Sequence, residues 1–224
     1  MNRRVFGFAA TVAGCLLAAA SPAGAVLLTF GTDGTPTNTA PNGGSLPPAV
    51  DTITKTVTSS SFPNGVTITE NVYAGTTTDG IKGLLFTYQF TNAVGNAAIE
   101  AVAPGAFPAW LGTIFADYTS SSTGTQAPND IFWNTDGGVD FSGHKPWISG
   151  GQTSYLLYVQ TDATLFCKLC GAISVQDNGN VNSSGWDAPV PGPVVGAGLP
   201  GLVAALGGLV ALARRRRKAT QALA

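Results

Sequence analysis

The 224-residue sequence predicts an all-β fold, an antiparallel β-sandwich spanning residues 51–187. Three observations predict it. Apolar and polar residues alternate with period two through segments rich in Thr, Val, Tyr and Phe, the pattern of strands with one buried face. Turn sequences such as Pro63-Asn64-Gly65 and Asp79-Gly80 punctuate those segments, as short antiparallel reversals require. No stretch from Asp51 to Asp187 sustains a 3.6-residue apolar period with a cap, so no helix is expected there. A single sheet would leave an apolar face in water, whereas two facing sheets bury both.

The strands follow in chain order. Ile53–Thr58 places Ile53, Lys55 and Val57 on one face and threonines on the other. Val66–Ala74 sets Val66, Ile68 and Val72 against Thr67, Thr69 and Asn71. Leu84–Asn92 sets Leu84, Phe86, Tyr88 and Phe90 against Leu85, Thr87, Gln89 and Thr91. Ser154–Ala163 is apolar on both faces, which predicts a central strand. Shorter strands are expected at Ile99–Val102, Leu111–Phe115, Val139–Phe141 and Ala172–Gln176. Residues 26–50, rich in Gly, Pro and Thr and without periodicity, read as an extended lead-in.

Charge is segregated along the chain. Arg3 and Arg4 stand at the front, and Arg214 to Lys218 stand near the end. Between them lie all twelve acidic residues and only Lys55, Lys82, Lys145 and Lys168, a net charge of −8. Such a segment lacks the basic face that binding a phosphate backbone requires, so nucleic acid is excluded as a partner.

Residues 1–25 read as a secretory signal peptide. Arg3 and Arg4 form a positive start, Val5–Ala20 is apolar, and Ser21-Pro-Ala-Gly-Ala25 ends in small residues suited to cleavage after Ala25. Two readings compete with it: a first transmembrane helix, and a lipoprotein signal at Val12-Ala-Gly-Cys15. The apolar run is short for the first. It continues past Cys15 as Leu16–Ala20, where the second expects a polar tether.

Few residues suggest chemistry. His144 is the sole histidine. It has no second histidine, HExxH or Cys/His cluster to make a zinc site, and no G-x-S-x-G to make a triad. Asp136 and Asp140, in Asp136-Gly-Gly-Val-Asp140, form a weak calcium candidate. Against it stands a tight hairpin turn, in which Asp and Gly supply left-handed backbone. Cys167-Lys-Leu-Cys170 reads as a local disulfide in a hairpin loop between two strands. A free pair, a metal ligand and a redox centre are its alternatives, although no helix N-terminus is expected there to lower a thiol pKa. No cofactor is expected. Trp110, Trp133, Trp147 and Trp186 are either core anchors or exposed platforms on which sugars stack.

The C-terminal region carries the strongest signal. Residues 188–193 form a proline-rich linker, and Val194–Ala213 holds twenty residues without a charge. As a helix that stretch spans about 30 Å, the thickness of a bilayer core. Arg214, Arg215, Arg216, Arg217 and Lys218 open a basic tail, residues 214–224, held in the cytoplasm by the positive-inside rule. Five glycines and Pro200 within the span weaken it as a permanent anchor.

This order of proline motif, Gly/Ala/Leu span and arginine cluster resembles the PEP-CTERM sorting signal of exported proteins in Gram-negative bacteria. The matching motif is Pro191-Gly192-Pro193, with Gly192 where the family carries Glu. The ectodomain resembles, more loosely, domains found ahead of such tails, through Gly83–Asn92 with Ala98-Ile-Glu-Ala101 and through Ile148–Phe166. The resemblance implies an exosortase-type membrane protease as partner and an exopolysaccharide-producing host. It also implies an inner-membrane stage with a periplasmic ectodomain, then release to the cell surface or outside. The expected function is a non-enzymatic surface or matrix protein; the alternative is a carbohydrate-binding module or weak glycan-acting enzyme.

Overall fold

Alternating Thr and β-branched or aromatic residues suit a pleated, half-buried surface, and the backbone follows that pattern. The computed structural model describes residues 26–190, apart from 106, 108–110, 112, 121–123, 144–146 and 178. The signal peptide, Trp110, His144, the Pro191–Pro193 motif, the 194–213 span and the basic cluster lie outside the described residues. Among the described residues, no helix is long and apolar enough to cross a membrane.

Twelve strands are described. They are β1 (Val26–Thr29), β2 (Asp33–Gly34), β3 (Asp51–Val57), β4 (Val66–Thr78), β5 (Ile81–Asn92), β6 (Ala101–Pro104), β7 (Thr113–Thr119), β8 (Asp130–Trp133), β9 (Val139–Ser142), β10 (Leu156–Gln160), β11 (Leu165–Asp177) and β12 (Gly179–Val190). One sheet runs β1-β7-β10-β5-β4-β3 and the other β12-β11-β6-β9-β8-β2. Every strand pairing is antiparallel.

The two sheets close on one apolar core. Ile68 pairs with Phe90 and Val72 with Phe86 across β4 and β5, and all four are buried. Opposite them lie Val102, Ile131, Trp133, Phe141, Ile173, Val175 and Trp186 from the second sheet. Phe86 meets Phe107 edge-on at 5.5 Å, and Phe30 meets Trp133 at 5.3 Å. Each fully buried aromatic or aliphatic side chain here contributes about 1.5–3 kcal/mol by leaving water.

The central position expected for Ser154–Ala163 is observed, since β10 lies between β7 and β5. The Asp79-Gly80 reversal has φ of 47° and 87°, the paired left-handed geometry of a tight hairpin turn. Lys55 points inward from the edge strand β3. Its Nζ donates to the carbonyls of Ser184 and Gly185 and lies 4.9 Å from the Trp186 ring centre. An inward lysine bridges the sheets and discourages another strand from pairing at that edge.

Several expectations are corrected. The lead-in contributes strands: β1 pairs with β7, and β2 with β8. The rest of it lies over an apolar patch on the first sheet's outer side, formed by Leu85, Phe115 and Tyr158, against which Leu46 packs. Tyr158 Oη donates to the Thr39 carbonyl at 2.9 Å. The fully buried Asp117 carboxylate accepts the backbone N–H groups of Thr37, Asn38 and Thr39 at 3.0–3.3 Å. Strands β8 and β12 were not expected. The first is four residues long, too short to display a period. The second, rich in Asn, Ser and Gly, is held extended by pairing along β11. Strand β12 also reaches Val190, so residues 188–190 are strand rather than linker. It lies at a sheet edge, where Pro189 is tolerated.

The Cys pair is also corrected in place. Cys167 and Cys170 are joined within strand β11, with Cα atoms 5.6 Å apart, and not in a loop between strands. The ladder shifts register between Cys167 and Gly171, and Leu169 inside the bulge has φ of 61°. The disulfide staples a β-bulge.

Candidate functional site

The alternation of Ala101-Val102-Ala103-Pro104-Gly105 forms the floor of a cleft. Val102 faces the core, so Ala101, Ala103 and Gly105 fall on the outer face of the second sheet. With only methyl groups or hydrogens there, β6 becomes the floor of a trough between taller neighbours. One wall comes from the β8–β9 hairpin, through Asn134, Asp136, Gly138 and Asp140. The other comes from Ser174 and Gln176 of β11 and Asn182 of β12. The cleft encloses about 600 Å³.

Register places these groups in rows. Asn182 pairs with Ser174, and Ser174 with Ala103; on the far side Ala101 pairs with Ser142, two residues from Asp140. Ser174 and Asp140 therefore flank Ala103. Both walls hold an unsatisfied atom: Asp140 Oδ1 and Ser174 Oγ are shielded from solvent and have no hydrogen-bond partner. Each such atom costs the fold about 1–3 kcal/mol.

The hairpin wall is rigid. Asn134 Oδ1 accepts the Gly138 N–H at 2.7 Å, and Asp136 Oδ1 accepts the same N–H at 3.1 Å. Asn134 Nδ2 donates to Asp140 Oδ2 at 3.2 Å. A Cβ at Gly138 would lie 2.8 Å from Asn134 Nδ2, and Gly137 sits at φ of 89°. Burial pushes the Asp140 carboxyl up, against the Asn134 hydrogen bond and assisted by the Asp136 charge.

This geometry bears on the calcium candidate. Asp136 and Asp140 each spend one oxygen on the turn, as the hairpin reading expects, while Asp140 Oδ1 has no partner. Among the described residues, no set of three or more His, Cys, Asp or Glu converges on a metal position.

The tryptophan platforms are corrected for the three indoles described. Trp133, Trp147 and Trp186 are all buried. Trp133 Nε1 donates to the Phe107 carbonyl at 2.7 Å, and Trp186 Nε1 to Ser183 Oγ at 3.0 Å. A Cβ on Gly143 would strike the Trp147 ring at 2.4 Å, so that glycine admits the indole to the core. None of the three can stack a sugar.

A second polar cluster lies between the sheets beside the disulfide. Glu70, on the inward face of β4, is 1% exposed, as is Asp187 of β12. The Asp187 N–H donates to Glu70 Oε2 at 2.9 Å, and the Leu169 N–H donates to Asp187 Oδ1 at 3.1 Å. Glu70 Oε1 and Asp187 Oδ2 have no partner. Burial pushes the Glu70 carboxyl up to about 7, with the Asp187 charge adding to the rise and the Asp187 N–H opposing it. Burial raises Asp187 as well. At the exposed mouth, Lys168 Nζ lies 2.7 Å from Asp51 Oδ2 and holds that carboxyl below its ordinary value. The cluster locks β12 to the first sheet.

The trough residues other than Asp136 and Asp140 escape a reading of the sequence alone. Their types are common surface residues, and only strand register gathers them. Comparison with protein-family models, curated proteins and solved structures finds no match for this chain.

Proposed function

We propose that this chain is an exported, non-enzymatic structural protein of the cell surface or extracellular matrix, sorted through a PEP-CTERM-like tail. The observation that carries the reading is the three-part order of Pro191-Gly192-Pro193, an uncharged span to Ala213, and Arg214 to Lys218. A signal peptide at residues 1–25 supplies export, and the stop at Arg214 leaves the sandwich outside the membrane. An exosortase-type protease is the partner that reads the motif, and exopolysaccharide is the surrounding medium.

Two features support this reading. A disulfide at Cys167 and Cys170 suits an oxidising compartment. A cut at residues 191–193 falls beyond Val190, the last described residue of β12, so it leaves every described strand intact. The glycan-acting alternative needs two carboxylates open to a substrate. In the trough, Asp140 has one oxygen tied to Asn134 and the other shielded from solvent, a poor posture for donating a proton.

The test is fractionation of a Gram-negative host with and without its exosortase. The expected result is ectodomain in the surface and medium fractions of the first strain, and full-length chain held in the inner membrane of the second. An identical distribution in both strains would overturn the reading.

A further inference from the structure

We propose that the trough on the outer face of the second sheet is a binding site for a neutral oligosaccharide. The inference stands whether or not the tail is processed, because it rests on the sandwich alone.

The shape comes from small residues. Ala103 and Gly105 recess the floor between two taller walls, making an open channel. An extended chain of sugar rings fits an open channel, whereas a compact cofactor would demand an enclosed cavity.

The chemistry of the walls selects the ligand. They present the carboxamides of Asn134, Gln176 and Asn182, the Ser174 hydroxyl and the carboxylates of Asp136 and Asp140. Carboxamides both donate and accept, which matches a hydroxyl that does the same. Ser174 Oγ lacks a partner, and rotation about its χ1 offers the hydroxyl to a sugar hydroxyl. Among the described residues no Lys or Arg lines the trough, and its two carboxylates repel anionic polymers. Uronic-acid chains and phosphorylated glycans are therefore poor ligands. Among the described residues no aromatic ring lines it either, so what these walls offer a ligand is hydrogen bonds. Single sites of that kind bind weakly, and many copies on a surface compensate through avidity.

The experiment is saturation-transfer NMR on the full-length chain in detergent, with cellohexaose, mannohexaose and a galacturonate hexamer as probes. The expected result is transfer to at least one neutral hexasaccharide at concentrations up to about 10 mM, and none to the galacturonate. Ala103→Leu fills the floor and is expected to weaken that signal at least tenfold. Ser174→Ala, which removes the hydroxyl and adds no bulk, is expected to weaken it several-fold while leaving the circular dichroism spectrum unchanged. Thr54→Ala, on the outer face of the other sheet, is expected to leave it unaltered. Absence of transfer to both neutral probes, stronger transfer to galacturonate, or a signal that survives Ser174→Ala in a folded protein would each overturn the proposal.

Discussion

Replacing Glu70 with Gln tests how the two sheets are locked together. Glu70 points into the sandwich with Val66, Ile68 and Val72, and one of its oxygens has no partner. Its carboxyl titrates near 7 in the fold, against 4.5 for an ordinary glutamate. The folded state therefore holds its proton more tightly than the unfolded chain does. The stabilising effect is complete below about pH 4.5 and is lost as pH rises toward 7, which amounts to about 3 kcal/mol. For a domain of this size each kcal/mol moves Tm by about 2–4 °C. The wild-type Tm should fall by about 6–12 °C between pH 4.5 and 7.5. Glu70→Gln keeps an oxygen to accept the Asp187 N–H and removes the titration. Its Tm should vary far less over that range and exceed the wild type at pH 7.5. Thermal unfolding followed by circular dichroism at constant ionic strength measures both. A wild-type Tm that is flat across the range, or a variant with the same slope as the wild type, would refute the reasoning.

Three further outcomes are expected. Gly83→Ala would put a Cβ 2.4 Å from the Thr161 carbonyl and 2.6 Å from that of Ala163; backbone cannot yield there, so denaturant titration should show a loss of about 3 kcal/mol or more. Asp117→Ala strips the lead-in of its buried acceptor, and with charge-assisted bonds worth about 1.5–3 kcal/mol limited proteolysis should cut within residues 35–50, sites the wild type protects. The Cys167→Ser/Cys170→Ser double variant opens a loop of four residues, and chain entropy limits the loss to about 2 kcal/mol; a chemical-denaturation loss twice that size would mean the bulge itself had rearranged.

The sequence made the fold legible where alternation was long and uninterrupted. Strands β3, β4 and β5 combine Thr-rich faces with apolar ones, and they fold together as one meander. It was silent where a partner imposes the strand. Strand β12 has no period of its own and is extended because β11 offers hydrogen bonds along its length. The bulge at Cys167–Cys170 was hidden for a related reason: two register shifts in a ladder leave no trace in residue order. Glu70 was readable in principle, since its parity in β4 is that of Ile68 and Val72. A charged residue on an apolar face signals a buried polar cluster, though its partner Asp187 lies 117 positions away. The trough was the least legible feature. Its floor is visible as small residues alternating with Val102, but its walls come from strands whose neighbours only topology decides.

The central claim is that the sandwich is exported and then released at the proline motif. Intact-mass analysis of the protein recovered separately from membrane and medium tests it most directly. The account predicts a medium form that begins at Val26 and ends near Pro191–Pro193, with the Cys167–Cys170 bond intact. A chain still carrying Arg214 to Ala224 and found only in membranes would contradict it.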